Sequence, residues 1–188
     1  MAKSATDCDI ERFEAEIGRI LPTDYTKFLK TQNGEMGNNT FLDLDIENIE
    51  IGDIGTIFGL GVNQADDELS NRWKVWAYYD LAKYKEELKD YICFGTDDFG
   101  DLFLLNLDNQ FVFYFTHERD VDSTGRVILT KIANSFSEFL AAAIDEDPIP
   151  WTGEDEKYWQ ETAKLRRIQN AKIQEEHRIR KLKKSSEL

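Results

Sequence analysis

The chain has 188 residues, 41% hydrophobic and 12% aromatic, which is enough for one domain with a substantial apolar core. It contains 37 Asp and Glu residues against 23 Lys and Arg residues. The resulting net charge of −14 argues against nucleic acid or an anionic membrane as the partner, and favours a basic protein.

The charge is unevenly distributed along the chain. Residues 1–150 contain 13 Lys and Arg against 30 Asp and Glu, a net charge of −17, whereas residues 151–188 contain 10 against 7, a net charge of +3. The acidic, proline-containing segment 145–150 separates the two parts. We therefore predict a globular domain over 1–150 and a charged helical extension over 151–188. The extension reads either as a solvated helix partly packed on the domain or as a basic arm for a partner.

The cysteines and the apolar runs indicate in which cellular compartment the protein is expected. Cys8 and Cys93 are the only cysteines, and they predict two free thiols in a reducing environment rather than a disulfide framework or a zinc site. The first residues contain no apolar signal-peptide core, and no run approaches the ~18 apolar residues of a membrane span. We expect a cytoplasmic protein.

Two short helices open the chain. An apolar stripe predicts the first over residues 9–20, with Asp9 as its N-cap and Leu21-Pro22 as its end. The second is predicted over residues 23–32 and stops at Asn33-Gly34, where a left-handed conformation is readily adopted. The stripe of the first helix consists of Ile10, Phe13, Ile17 and Ile20.

The next segment contains short strands. Residues 41–46 alternate apolar and acidic side chains, the period of a half-exposed strand, and residues 56–61 predict a strand that runs into a glycine turn. That turn, Gly59-Leu60-Gly61, lacks the third glycine of a dinucleotide fingerprint and the Gly-Lys-Ser/Thr of a Walker loop. It is not predicted to bind a nucleotide.

Residues 63–90 combine a helical pattern with a dense aromatic run. That run forms either a wedge in the core or an exposed recognition patch, and the large area that aromatics bury favours the core. A short amphipathic helix is predicted over residues 80–89. The apolar residues of the run are Trp73, Val75, Trp76, Tyr78 and Tyr79.

The hairpin over residues 91–107 organises the rest of the chain. Two runs that are apolar on both faces flank a turn rich in Gly and Asp, so we expect neighbouring strands in the middle of a sheet. Further strands are predicted over residues 111–115 and 126–132. Ser135 and Glu138 fit a capping box that opens a last core helix. Its apolar face is expected to contain Phe136, Phe139, Leu140 and Ile144.

The acidic turn of the hairpin is the best place to look for chemistry. Asp97, Asp98 and Asp101 do not show the alternation of an EF-hand, and aspartates in such a turn most often bind local backbone groups. Partner contact is the second interpretation, and a metal site or catalysis is the least favoured. We expect His117 and Glu118 to be structural or solvent-facing rather than catalytic, because no Ser-His-Asp or Cys-His signature accompanies them.

The sequence thus predicts a protein that is not an enzyme and that needs no metal or cofactor. The remaining prediction is that particular residues contact a protein partner. The candidate partner-binding residues are Asp97, Asp98, Asp101, Trp73, Trp76 and Glu118.

The order and spacing of several segments resemble the Smi–Knr family of the SUKH superfamily. Each segment is weak alone, and together they span residues 10–144. Phe99-Gly100-Asp101 stands where that family often has Gly-Gly-Asp. The tail after Pro150 lies outside the resemblance. The matching segments are residues 10–14, 21–29, 33–34, 58–61, 92–101, 112–118 and 132–140.

The resemblance implies an α+β fold, with a mixed, largely antiparallel sheet flanked by N-terminal and C-terminal helices. It implies a bacterial immunity protein that binds and neutralises a toxin domain, often a nuclease and therefore basic. The other role that it implies is an intracellular regulatory scaffold of the cell-wall-synthesis-regulator type. The family supplies no catalytic set, so no catalytic residue follows from it.

Overall fold

A computed structural model describes residues 4–34, 40–44, 51–62, 68–119 and 121–145. The predicted charged extension over 151–188, and the boundary before it, lie outside the described residues. The described helices are α1 (Asp7–Ile17), α2 (Thr23–Thr31), α3 (Leu69–Arg72), α4 (Lys85–Leu88) and α5 (Phe136–Ala142). The strands are β1 (Thr40–Leu42), β2 (Ile54–Ile57), β3 (Tyr91–Asp97), β4 (Leu102–Asn106), β5 (Val112–Phe115), β6 (Thr130–Ala133) and β7 (Ala143–Asp145).

The main sheet is antiparallel and has the strand order β2-β3-β4-β5-β6. The predicted hairpin is β3 and β4, and each of its strands has a neighbour on both sides. All five residues of β4 are buried, which is why both of its faces read as apolar. A separate two-stranded sheet pairs β1 with β7. The predicted α+β fold with a largely antiparallel sheet is confirmed.

Helices α2 and α5 cover the sheet through an aromatic cluster. The ring of Phe94 in β3 lies 6.0 Å from that of Tyr25, and 5.2 Å from those of Phe136 and Phe139. Phe103 in β4 extends the cluster, with its centroid 5.4 Å from Phe139. Edge-to-face aromatic pairs add roughly 0.5–1.5 kcal/mol each to the free energy of burial, so this cluster fixes the two helices on the hairpin.

The structure corrects the ends of the first helix. Thr6, not Asp9, is its N-cap: Thr6 Oγ1 accepts the Asp9 N–H, and Asp9 Oδ2 accepts the Thr6 N–H. Gly18 ends the helix in a left-handed conformation, φ 68°, before Leu21-Pro22 is reached. Ile20 consequently lies outside the helix and is 78% exposed, so it does not extend the apolar stripe.

Other predicted elements are shorter or divided. The helix expected over residues 80–89 is a 3-10 turn, Leu81–Tyr84, followed by α4. The strand expected from Arg126 is β6, which begins at Thr130. Ser135 caps α5 as predicted, but α5 ends at Ala142, so Ile144 belongs to β7 and is 41% exposed. No helix in the described ranges is long and apolar enough to span a bilayer.

Candidate functional site

The acidic turn between β3 and β4 is built around the carboxylate of Asp97. This side chain is 3% exposed and accepts four hydrogen bonds. Oδ1 accepts the N–H groups of Phe99 and Asp101, at 3.0 and 2.8 Å. Oδ2 accepts the Gly52 N–H at 3.2 Å and the Tyr114 hydroxyl at 2.5 Å. Asp97 thus closes its own turn and joins it to the segment before β2 and to β5.

Asp101, 5% exposed, performs a similar role at the other end of the turn. Its Oδ1 accepts the His117 N–H at 2.9 Å and lies 2.5 Å from His117 Nδ1. Burial alone would raise the pKa of Asp101. The hydrogen bonds from His117, Thr116 and Tyr114 outweigh burial, so the pKa of this carboxyl lies below its ordinary value. Asp101 is held ionised, and it fixes the chain that follows β5.

The hydroxyl of Tyr114 lies between the two carboxylates, 2.5 Å from Asp97 Oδ2 and 3.0 Å from Asp101 Oδ2. A phenol has one hydrogen to donate, and the shorter distance assigns it to Asp97. Burial, and then the hydrogen bond and negative charge of Asp97, raise the pKa of Tyr114 strongly. The hydroxyl therefore remains protonated and serves as a permanent donor in this network.

A surface lies directly above this buried network. It consists of Tyr79, Asp98, Phe99, His117 and Glu118, and we call it the turn face. Phe99 is 58% exposed and Tyr79 50% exposed, and the His117 side chain is 39% exposed. Asp98 and Glu118 are exposed as well. The turn face combines aromatic rings with two carboxylates.

Tyr79 connects the two halves of the turn face. Its hydroxyl donates to the Gly100 carbonyl at 2.6 Å, and its ring stacks on His117 with centroids 5.2 Å apart and planes at 13°. Its backbone is left-handed, φ 47°, which is unfavourable for a bulky residue and persists only where contacts hold it. A tyrosine that is half exposed yet strained in this way is typical of functional surfaces.

Glycine at position 52 makes room for the exposed part of the turn. A Cβ there would lie 2.1 Å from Asp98 Oδ1 and 2.9 Å from Phe99 Cδ2. Both side chains therefore lie over the Gly52 backbone. The Asp98 N–H also donates to the Asp53 carbonyl at 2.9 Å. The segment before β2 thus supports the residues that the turn presents to solvent.

The six predicted partner-binding residues fall into three places. Asp97 and Asp101 form the buried network, and Asp98 and Glu118 lie on the turn face. Trp73 is 8% exposed and donates from Nε1 to Glu16 of α1, and its ring meets that of Trp76 edge to face at 5.3 Å. Trp73 thus packs beside α1 and Trp76 packs on Trp73, and among the described residues no hydrogen bond or ring contact joins either tryptophan to the turn face.

Three residues of this site were not predicted from the sequence: Tyr79, Phe99 and Tyr114. Tyr79 belonged to the aromatic run for which core packing was favoured, and that interpretation holds for Trp73 and Val75 but not for Tyr79. The exposure of Phe99 could have been predicted, because an aromatic residue between Asp98 and Gly100 in a tight turn lies far from most core positions. Tyr114 gave none, because a tyrosine within an apolar strand looks like ordinary core.

The site divides into buried carboxylates and side chains that face solvent. The oxygens of Asp97 and Asp101 are used by internal donors, and the groups left facing solvent are rings and carboxylates. Among the described residues, no group of three or more His, Cys, Asp or Glu side chains is arranged to hold a metal ion.

Comparison with known protein families identifies the family of the chain. The model of a family described as SMI1 / KNR4 family (SUKH-1) matches residues 4–142, which contain all of the turn face and the buried network. No curated protein matches the chain.

Proposed function

The chain belongs to the SMI1 / KNR4 family (SUKH-1), and on that premise we propose that it is a non-enzymatic protein-binding module. Its role within that class is that of a bacterial immunity protein, which neutralises a cognate toxin domain by binding it. The partner is a basic domain, such as a nuclease. The turn face is the surface through which the chain binds.

The observation that carries this proposal is the exposed turn face, together with the hydrogen bonds that the buried carboxylates of Asp97 and Asp101 already accept within the chain. Backbone and tyrosine donors occupy both oxygens of Asp97, and Oδ1 of Asp101 is bonded by the backbone and the ring of His117. Asp98 and Glu118 remain exposed at the surface. This division supports binding rather than catalysis at the turn.

Charge supports a basic partner. Residues 1–150 have a net charge of −17, and opposite charges on two proteins speed their encounter and suppress wrong partners. A nuclease has a basic active site because it binds the phosphates of its substrate. An acidic protein placed over that site blocks access without any chemistry.

Co-expression with the toxin encoded by the neighbouring gene tests the proposal. We expect the chain to restore growth of cells that produce the toxin, and to be recovered bound to the toxin in a pull-down. A chain that neither binds the toxin nor protects the cells is not an immunity protein for it.

The second candidate is an intracellular regulatory scaffold that assembles through residues 151–188. The observation that favours it is the change of charge to +3 in that segment. Deletion of residues 151–188 separates the two candidates. Protection from the toxin should survive the deletion if the domain before it binds, whereas assembly through the tail should be lost.

A further inference from the structure

The chain places its own cations over several of its aromatic rings, some buried and some partly exposed. Within the described residues, six rings have a Lys or Arg group 4.3 to 5.7 Å from their centroids. The attraction comes from the negative face of the ring. These rings belong to Phe58, Trp73, Trp76, Tyr78, Tyr84 and Phe111.

Phe99 and Tyr79 are not among these six rings. They are the most exposed aromatic side chains of the described part of the chain, at 58% and 50%. Among the described residues, no Lys or Arg group lies over either ring. The Phe99 ring is therefore open to a cation from outside, whereas one face of the Tyr79 ring is already covered by His117.

The carboxylates of the turn face are open in the same way. In the part of the chain that the structure describes, no ion pair involves Asp98 or Glu118. Asp98 is adjacent to Phe99, and Glu118 is adjacent to His117, on which Tyr79 stacks. Phe99 thus has next to it in the turn a carboxylate, Asp98, that forms no ion pair within the described residues.

The turn face is also partly ordered before any partner arrives. The Phe99 N–H donates to Asp97 Oδ1, which fixes the backbone that carries the Phe99 ring, and the Tyr79 hydroxyl donates to the Gly100 carbonyl, which fixes the Tyr79 ring itself. Ordering a flexible side chain costs ~0.5–1.5 kcal/mol when a complex forms. A surface that the folded chain has already ordered avoids part of that cost.

We propose that the turn face binds an arginine side chain presented by the protein partner. This inference rests on the proposed function and specifies the chemistry of the partner. A guanidinium is planar and weakly hydrated, so it stacks on an aromatic ring while its N–H groups pair with a carboxylate. A lysine ammonium is a compact, strongly hydrated charge and gains less from the rings. The combination of Phe99 with Asp98 therefore selects arginine over lysine.

Two synthetic peptides test this directly on the full-length, 15N-labelled protein. Acetyl-Gly-Gly-Arg-Gly-Gly-amide and its lysine counterpart are titrated at constant ionic strength, and amide shifts are followed by NMR. We expect a saturable shift at residues 79, 98–100 and 117–118 with the arginine peptide, and binding several-fold weaker with the lysine peptide.

Matched variants isolate the ring. Phe99→Leu removes an open ring and should weaken binding of the arginine peptide about two- to five-fold, as expected for an exposed cation–π contact. Phe111→Leu removes a ring that Lys131 already covers at 4.3 Å, and it should leave binding unchanged. Asp98→Asn should weaken binding and reduce the preference for arginine over lysine.

Three results would overturn the inference: equal binding of both peptides, shifts spread over the acidic surface without a centre at the turn, or equal effects of the two leucine variants. None of them depends on a toxin. Loss of arginine selectivity with intact protection in the co-expression test would refute this inference alone. Selective arginine binding without protection would instead refute the immunity role.

Discussion

The hydroxyl of Tyr114 lies 2.5 Å from Oδ2 of Asp97 and joins the middle of β5 to the end of β3. Asp97 is 3% exposed, so water cannot readily replace this donor. The same hydroxyl lies 3.0 Å from Asp101. Tyr114 therefore ties Asp97 to β5, and the stability of the turn depends on this hydrogen bond.

Removal of that hydroxyl should destabilise the domain. In Tyr114→Phe a buried carboxylate loses a charge-assisted hydrogen bond, which costs about 1.5–3 kcal/mol of unfolding free energy. Urea unfolding measures the change. Tyr84→Phe is the matched control, because the half-buried hydroxyl of Tyr84 forms no hydrogen bond with the described residues. This substitution should cost under ~0.5 kcal/mol of unfolding free energy. Equal effects of the two variants would show that the contact contributes nothing.

The free energy of unfolding should decrease at acidic pH because Asp101 becomes protonated. Its pKa is lower in the folded chain than its ordinary value of 3.8, so the unfolded chain binds the proton first as pH falls. The contribution of Asp101 is fully present above 3.8 and is lost as pH decreases through the folded value. Urea unfolding across this range should therefore give Asp101→Asn its largest deficit near neutral pH and a shrinking deficit below 3.8. A deficit that is constant with pH would contradict this assignment.

The two cysteines should differ in reactivity. Cys93 is buried in β3, and burial raises the pKa of its thiol to about 12, so the reactive thiolate is scarce at neutral pH. Cys8 in α1 is exposed. A colorimetric thiol assay should find one reactive group per native chain and two in denaturant. Rapid reaction of two thiols in the native chain would show that β3 opens readily.

The acidic side of the turn face should set the rate of association with a basic toxin. Asp98→Asn combined with Glu118→Gln removes two exposed charges, and we expect slower association with a weaker dependence on salt. The matched control, Glu11→Gln with Glu87→Gln, removes the same charge from exposed positions on α1 and α4. Stopped-flow mixing compares the pairs, and equal rates would mean that only net charge matters.

Local sequence patterns were sufficient for most of the framework. The apolar runs of 91–94 and 102–105 predict the central hairpin because strands buried on both faces need no polar alternation. Ser135 predicts the start of α5 because its hydroxyl accepts the Glu138 N–H. The start of α1 was misplaced because Thr6 and Asp9 both have capping side chains, and only the reciprocal bonds between them show which residue is the cap.

The sequence by itself determined that the chain is acidic, that its centre is a buried hairpin, and that the turn of this hairpin holds three aspartates. Tertiary structure alone decided what those aspartates do. Asp97 meets Tyr114, and Tyr79 meets Gly100, across separations of 17 and 21 residues. Such meetings depend on strand register and on packing between elements, which no local propensity encodes. They turn two of the acids inward as supports and leave Asp98, beside Phe99, exposed to solvent.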